Sequence, residues 1–284
     1  MRRRRRSGSR SGRQNSHEGM AVPKFQRGPE VGPVPRPGAL EIEPYVPGSS
    51  REQRTSRTVI LSSNESALGA SPAAVTAYER ASHALHRYPD AASTELRDAL
   101  AVAHGVDAAQ IVCGDGSDEL LHLLALGYAG PGDDVLFSEH GFVVYPMVAH
   151  AVGARPRAVP ERGYTVDVDA MIAAVTPETR IMFVANPNST GTCLPAPEIA
   201  RLHAALPASV LLVVDAAYAE FVAFDGYEPG HDLVRTSTNT VITRTFSKAY
   251  GLAGLRLGWC FAAPSVVDVL NRLRGPFNVT APAQ

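Results

Sequence analysis

The sequence predicts an α/β protein, a mainly parallel sheet with helices on both faces, and three observations carry the prediction. From Val59 onward, short β-branched runs alternate with longer stretches of helical spacing, as expected when parallel strands are joined by crossover helices. The chain has 284 residues, 45% of them hydrophobic, enough for one large core with a smaller appendage. Polar clusters directly follow several apolar runs, and ligand chemistry in open α/β sheets gathers beyond the carboxyl ends of the strands.

The elements follow in order. Residues 1–33 are arginine-rich and then glycine- and proline-rich, with few residues able to join a core, so a disordered extension is expected. The arginine run lacks an amphipathic period, which favours a solvated tail over an RNA-binding arm or an organelle presequence, and Met20 offers a second start. An N-terminal arm is expected over 34–70 and a large domain over 71–275. Strands are predicted at 110–113, 134–137, 180–185, 210–214, 241–244 and 257–261, where the β-branched and apolar runs fall. Helical spacing marks 117–128, 145–152 and 197–206 between them.

Charge and cysteine content exclude several classes. The net charge of −1 hides an asymmetry, because residues 1–36 hold ten of the 27 basic residues and two of the 28 acidic ones. The remainder carries 17 basic against 26 acidic residues, a net −9, which argues against a nucleic-acid-binding body. Cys113, Cys193 and Cys260 are odd in number and lack metal-ligand spacing, so three buried free thiols in a reducing compartment are expected. No apolar run is long enough to cross a bilayer, and the opening arginines lead into Ser, Gly and Asn instead of a hydrophobic segment; a cytoplasmic protein without signal peptide or anchor is expected.

One residue stands apart. The chain has 25 Arg and two Lys, and Lys248 is the only lysine after Lys24. A chain that otherwise uses arginine keeps a lysine where an amine must lose its proton and attack a carbonyl, which guanidinium does poorly. Lys248 lies in Thr245-Phe246-Ser247-Lys248-Ala249-Tyr250-Gly251, with Arg256 eight residues on, the composition of a loop built around a bulky anion. Three further clusters fall at strand ends: Gly114-Asp115-Gly116-Ser117-Asp118-Glu119, Asn186-Pro187-Asn188-Ser189-Thr190-Gly191 and Asp215-Ala216-Ala217-Tyr218. Taken singly each suits an ordinary turn or helix cap. Together they supply a carboxylate able to keep a pyridine nitrogen protonated, helix-start N–H groups able to hold a phosphate, and an imine-forming amine, the requirements for binding pyridoxal 5'-phosphate.

With these residues in view the chain resembles the fold-type I pyridoxal-phosphate aminotransferases, and within them the histidinol-phosphate aminotransferases, over about 250 positions from Val34 onward. Pro35-Arg36-Pro37-Gly38 with Pro44-Tyr45-Val46-Pro47-Gly48 is similar to that subfamily's opening segment. Ser63-Asn64-Glu65-Ser66-Ala67-Leu68-Gly69 resembles its Asn-Glu-Asn-Pro element, and Arg87-Tyr88-Pro89-Asp90 its Tyr-Pro-Asp/Glu element.

The resemblance implies roles. Lys248 would hold the cofactor as an imine and then move the proton between the substrate Cα and the cofactor's C4' carbon. Asp215 would pair with the pyridinium nitrogen, Tyr218 and Asn188 would bond the phenolic oxygen, and Phe142 would stack on the ring. The backbone at Ser117 and Asp118, with Thr245 or Ser247 and Arg256, would take the phosphate. Tyr45 and Asn188 would face the substrate, and Tyr88 would reach the cofactor phosphate of a neighbouring subunit, making the enzyme a homodimer. The implied reaction is amino transfer between L-histidinol phosphate and 2-oxoglutarate in histidine biosynthesis. An aromatic amino acid aminotransferase, a phosphothreonine decarboxylase-like enzyme and a non-catalytic fragment are the alternatives.

Two departures stand out. The family's Asn-Pro-Thr-Gly appears as Asn188-Ser189-Thr190-Gly191, and its Asn-Glu-Asn-Pro as Asn64-Glu65-Ser66-Ala67, so two turns lose proline and keep their polar anchor. Residues 276–284 fall where the family starts its small C-terminal domain, which carries the arginine that clamps the substrate carboxylate. The resulting expectation is a C-terminally shortened chain of little activity, with uncovered apolar surface over 259–270.

Overall fold

A computed structural model describes residues 35–44 and 61–284, so the arginine-rich start of the chain and Tyr45 lie outside the described residues. Seven strands, β1 (Ile111–Asp115), β2 (Asp134–Ser138), β3 (Arg155–Val159), β4 (Thr179–Ala185), β5 (Leu211–Asp215), β6 (Thr240–Thr245) and β7 (Leu257–Ala262), form one sheet in the order β1-β7-β6-β5-β4-β2-β3. The pairs from β3 through β6 are parallel, whereas β7 runs antiparallel to both β6 and β1. The mainly parallel sheet is therefore present with one reversed strand. Its cause is local: the loop 246–256 that joins β6 to β7 contains no α-helix to carry the chain back to the opposite end of the sheet. Because β1 and β6 both oppose β7, the carboxyl ends of β1, β2, β4, β5 and β6 share one edge.

Strands β4 through β7 are buried along almost their whole length; β4, β5 and β7 accordingly carry apolar runs, while β6 (Thr-Val-Ile-Thr-Arg-Thr) buries polar side chains among its apolar ones. Alternation of side chains sorts them between the two faces. Phe137, Phe183, Val213, Val241 and Cys260 meet α4 (Gly116–Tyr128), α5 (Val144–Val152) and α9 (Pro264–Leu273) on one face. Leu136, Met182, Leu212 and Val214 meet α6 (Val168–Ala173) and α7 (Ala196–Ala205) on the other, and Ile111, Ile242 and Trp259 continue that side toward α3 (Thr94–His104) and α8 (His231–Thr236). Two further helices, α1 (Pro37–Leu40) and α2 (Pro72–Ala81), lie at the start of the described chain.

The predicted strands and helices all appear, with ends displaced by one residue in most cases. Strand β3 was not anticipated. It is an edge strand of sequence Arg-Pro-Arg-Ala-Val, mostly exposed and paired only to β2, so neither apolar run nor alternation announces it. The expected uncovered surface over 259–270 is also corrected. Trp259 is 2% exposed and Leu270 fully buried, because α9 packs on α4 and the Trp259 ring lies against His104, centroids 4.8 Å apart. Cys113 and Cys260 are buried and burial pushes both thiols up to about 12, but Cys193 is only partly buried. Residues 276–284 run in turns against the start of the sheet, where the Asn278 side chain donates to the Cys113 carbonyl (3.2 Å) and to Glu119 Oε2 (2.7 Å). Among the described residues no helix is long and apolar enough to cross a membrane.

Candidate active site

The shared edge of strand ends encloses a cavity of about 590 Å³, within the range usual for a cofactor or small ligand. Lys248 enters it from the loop after β6. Its Nζ donates to the Ser63 carbonyl at 3.1 Å and lies 5.7 Å from the centre of the Tyr218 ring. Burial lowers the Lys248 pKa, and the Arg256 cation lowers it further against the opposing pull of Asp118, Glu65 and Asp215. The shift enlarges the neutral, nucleophilic fraction of the amine. Tyr218, just beyond β5, accepts a hydrogen bond from Asn64 Nδ2 at 3.0 Å, so the Asn64-Glu65 segment and the strand-end tyrosine meet at the lysine.

Asp215 closes β5 and is 4% exposed. One carboxylate oxygen accepts from Tyr145 Oη at 2.9 Å and the other from Thr243 Oγ1 at 3.0 Å. Burial raises its pKa, and these two hydroxyls draw it back down. A carboxylate in such a place can neutralise a cationic ring nitrogen.

At the other end lies a set of anion donors. The N-terminus of α4 begins at Gly116, whose φ of +75° places the Ser117 and Asp118 amides in the helix's first turn, where N–H groups have no partner within the helix. Ser117, Thr245 and Ser247 are buried hydroxyls beside it. Arg256 reaches Ser247 Oγ at 3.4 Å and Asp118 Oδ2 at 3.3 Å. That ion pair is nearly half exposed on both sides, a weak contact that a phosphate can replace. The seam is close-packed: a Cβ on Gly258 of β7 would collide with the Ser117 nitrogen.

Most of the anticipated residues converge on this cavity: Ser117, Asp118, Phe142, Asn188, Asp215, Tyr218, Thr245, Ser247, Lys248 and Arg256 all line it. Asn188 is already engaged, its Nδ2 donating to the His140 carbonyl (3.1 Å) and its Oδ1 accepting from the Ser189 amide (2.7 Å). The turn that lacks the family's proline is held by the Gly191 amide on the Asn188 carbonyl and by the Thr190 and Thr192 hydroxyls on the Tyr164 carbonyl. Tyr88 stands outside the cavity, 82% exposed and stacked on Phe277 with centroids 4.6 Å apart. Tyr145 and Thr243 were missed. Tyr145 lies in an apolar helix and Thr243 in the interior of a buried strand, and only the helix and strand packing brings their hydroxyls to Asp215. Among the described residues no group of three or more His, Cys, Asp or Glu is placed to hold a metal ion.

Fold and cavity together define a transferase of fold type I. The family profile described as "Aminotransferase class I and II" matches residues 56–284. Histidinol-phosphate aminotransferase of Rhodospirillum centenum is 55% identical over 254 residues, 89% of this chain and 70% of the relative. The histidinol-phosphate aminotransferase of Sinorhizobium meliloti, solved with pyridoxal-5'-phosphate, superposes with a TM-score of 0.75 at 31% identity, over 78% of this chain and 60% of that one. L-threonine-O-3-phosphate decarboxylase of Porphyromonas gingivalis shares the fold, with a TM-score of 0.65 at 22% identity over 75% of this chain and 66% of that one. The chain thus belongs to the class I and II aminotransferases, in the histidinol-phosphate aminotransferase family, and spans about 70% of the length of its R. centenum relative.

Proposed function

We propose that this chain transfers the amino group of L-histidinol phosphate to 2-oxoglutarate, with pyridoxal 5'-phosphate as cofactor. The observation that carries the reading is one cavity bordered by a lysine amine of lowered pKa, a buried carboxylate and a cluster of anion donors. These residues fit the cofactor's three demands: an amine for its aldehyde, a carboxylate for its ring nitrogen, and hydroxyls, helix-start amides and a guanidinium for its phosphate. When bound, the cofactor supplies an electron-withdrawing ring that stabilises negative charge at the substrate Cα.

The chain's own residues do the rest. Lys248 Nζ takes the proton from the amino donor's Cα, and a positioned amine contributes roughly 10²- to 10⁴-fold as an acid and base. Asp215 would keep the ring nitrogen protonated, Tyr218 and Asn188 would hold the ring oxygen, and Phe142 would cover the ring. Ser117, Asp118, Thr245, Ser247 and Arg256 anchor the phosphate. Asn188 borders the substrate, while Tyr88 serves the site of a second copy in a homodimer, in the cytoplasm. The identity of 55% to the R. centenum enzyme supports histidinol phosphate over other donors.

The test is a donor screen on purified protein supplied with cofactor and 2-oxoglutarate, comparing histidinol phosphate, phenylalanine, tyrosine and O-phosphothreonine. Highest kcat/KM with histidinol phosphate is expected; a preference for an aromatic amino acid, or decarboxylation of phosphothreonine, would overturn the assignment. Borohydride reduction in the presence of the cofactor, followed by peptide mapping, should place a pyridoxyl group on Lys248 and none on Lys24.

A further inference from the structure

We propose that Tyr145 and Thr243 are positioning residues that hold the Asp215 carboxylate fixed and charged, each through a hydroxyl directed at one of its two oxygens. The inference deepens the functional reading above and rests on it for its catalytic consequence. Neither residue belongs to a polar motif. Tyr145 sits in the first turn of α5, fully buried, and Thr243 sits inside β6, also fully buried.

The geometry leaves each hydroxyl little alternative. Tyr145 stacks on Phe183 with centroids 4.7 Å apart and planes 4° from parallel, which fixes the ring, and its Oη donates to Asp215 Oδ2 at 2.9 Å. Thr243 lies beside Asp215 in the β5–β6 register, and its Oγ1 donates to Oδ1 at 3.0 Å. The Ala217 amide also favours the ionised form. The charged and titratable groups around the carboxylate are Asp118 from α4, whose charge opposes ionisation, Tyr145 from α5, Tyr218 beyond β5 and Lys248 from the loop after β6. Burial together with Asp215 keeps the Tyr145 phenol protonated, so it acts as a donor. Without the two hydroxyls a carboxyl this buried takes up a proton more readily and loses the charge needed opposite a ring cation. Tyr145 also meets Phe142 edge to face, centroids 6.0 Å apart, so one side chain braces both the carboxylate and the aromatic ring over the cavity.

The experiment is a carboxyl titration by ¹³C NMR on the full chain labelled at aspartate, without cofactor, with the Asp215 resonance identified by its loss in Asp215→Asn. Tyr145→Phe keeps the ring stack and removes only the hydroxyl; Thr243→Val is close to isosteric. Each should move the Asp215 midpoint upward by about one pH unit, and the pair further, since a hydrogen bond to a charged group is worth about a tenfold change or more. Thr243→Ser should restore the parent midpoint. With cofactor, each single variant should lose roughly tenfold in kcat with KM for the amino donor nearly unchanged, and the acidic limb of the pH profile should move upward. An Asp215 midpoint that stays put in both Tyr145→Phe and Thr243→Val overturns the proposal even if activity falls, because a merely structural role lowers stability without moving it. Should Thr243→Val not fold, the Tyr145→Phe midpoint decides alone. Absence of transamination by the parent chain would overturn the functional reading, while the cofactor-free titration would still decide what the two hydroxyls do.

Discussion

A single carboxylate concentrates the conflict between stability and chemistry in this fold. Burial raises the pKa of Asp215 above that of the same group in the unfolded chain. The stabilisation associated with its protonated form is therefore present below the ordinary carboxylate range and is lost as pH rises through the folded pKa. At pH 7 to 8 the ionised group is held at a cost. Asp215→Asn should accordingly raise the melting temperature of the cofactor-free protein at neutral pH, with the gain shrinking as pH falls through the folded pKa and gone below about 4, where the carboxyl becomes protonated in both states. The same substitution should slow proton removal from the substrate by roughly a hundredfold or more, because it removes the charge proposed to stand opposite the ring nitrogen. Scanning calorimetry against pH, paired with single-turnover kinetics, checks both halves. A lower melting temperature at pH 7 together with near-normal turnover would refute the assignment.

Two elements carry the site's precision, the seam between β7 and α4 and the ion pair behind the lysine loop. At the seam, Gly258 lets β7 pass so close to the first turn of α4 that an added methyl would collide with backbone on the Ser117 side. Gly258→Ala is expected to destabilise the fold by about 1–3 kcal/mol. It should also weaken cofactor binding more than amino-donor binding, since the displaced atoms are those of the proposed phosphate cradle; titration of cofactor into the variant measures this. Behind the loop, Arg244 in β6 is 5% exposed and bonds Glu220 Oε1 at 2.6 Å, next to the Trp259 ring. The pair ties the strand leading to Lys248 to the 3₁₀ turn Ala219–Phe221 that follows Tyr218. Arg244→Met strands a partly buried carboxylate and should cost about 3–5 kcal/mol, of which Glu220→Leu in the same chain should recover most. Equal urea midpoints for the single and double variants would show that the pair is not the source of the loss.

At the scale of the molecule the exposed residues speak to assembly. Tyr88 is 82% exposed and does not line the cavity of its own chain, and Leu68, Leu85 and Val75, which precede the first strand in the chain, are also exposed. If Tyr88 serves a neighbour's cofactor, two inactive variants should complement each other. Tyr88→Phe mixed with Lys248→Ala as subunits should recover about a quarter of the parental activity per site under random pairing, because one of the two sites in each heterodimer is intact. The measurement is specific activity after mixing and reassociation. A monomer in sedimentation equilibrium that retains full activity would exclude the shared site.

The sequence alone determined the layered α/β architecture and most of the cavity. Parallel strands buried on both faces are largely apolar, and residues at or beyond their carboxyl ends are freer of that demand, so Asp215, Asn188 and the lone Lys248 stand out after hydrophobic runs. Tertiary structure decided what local pattern cannot encode. Strand β3 is assigned by its pairing to β2, since its own side chains are mostly exposed and proline-broken. The reversal of β7 depends on the path of a loop without a helix. Tyr145 and Thr243 look in the sequence like core residues of a helix and a strand, and they are buried as such. Only the packing of α5 and β6 around the end of β5 turns both hydroxyls onto one carboxylate, because residues 70 and 28 positions apart from Asp215 acquire a common function through distance in space.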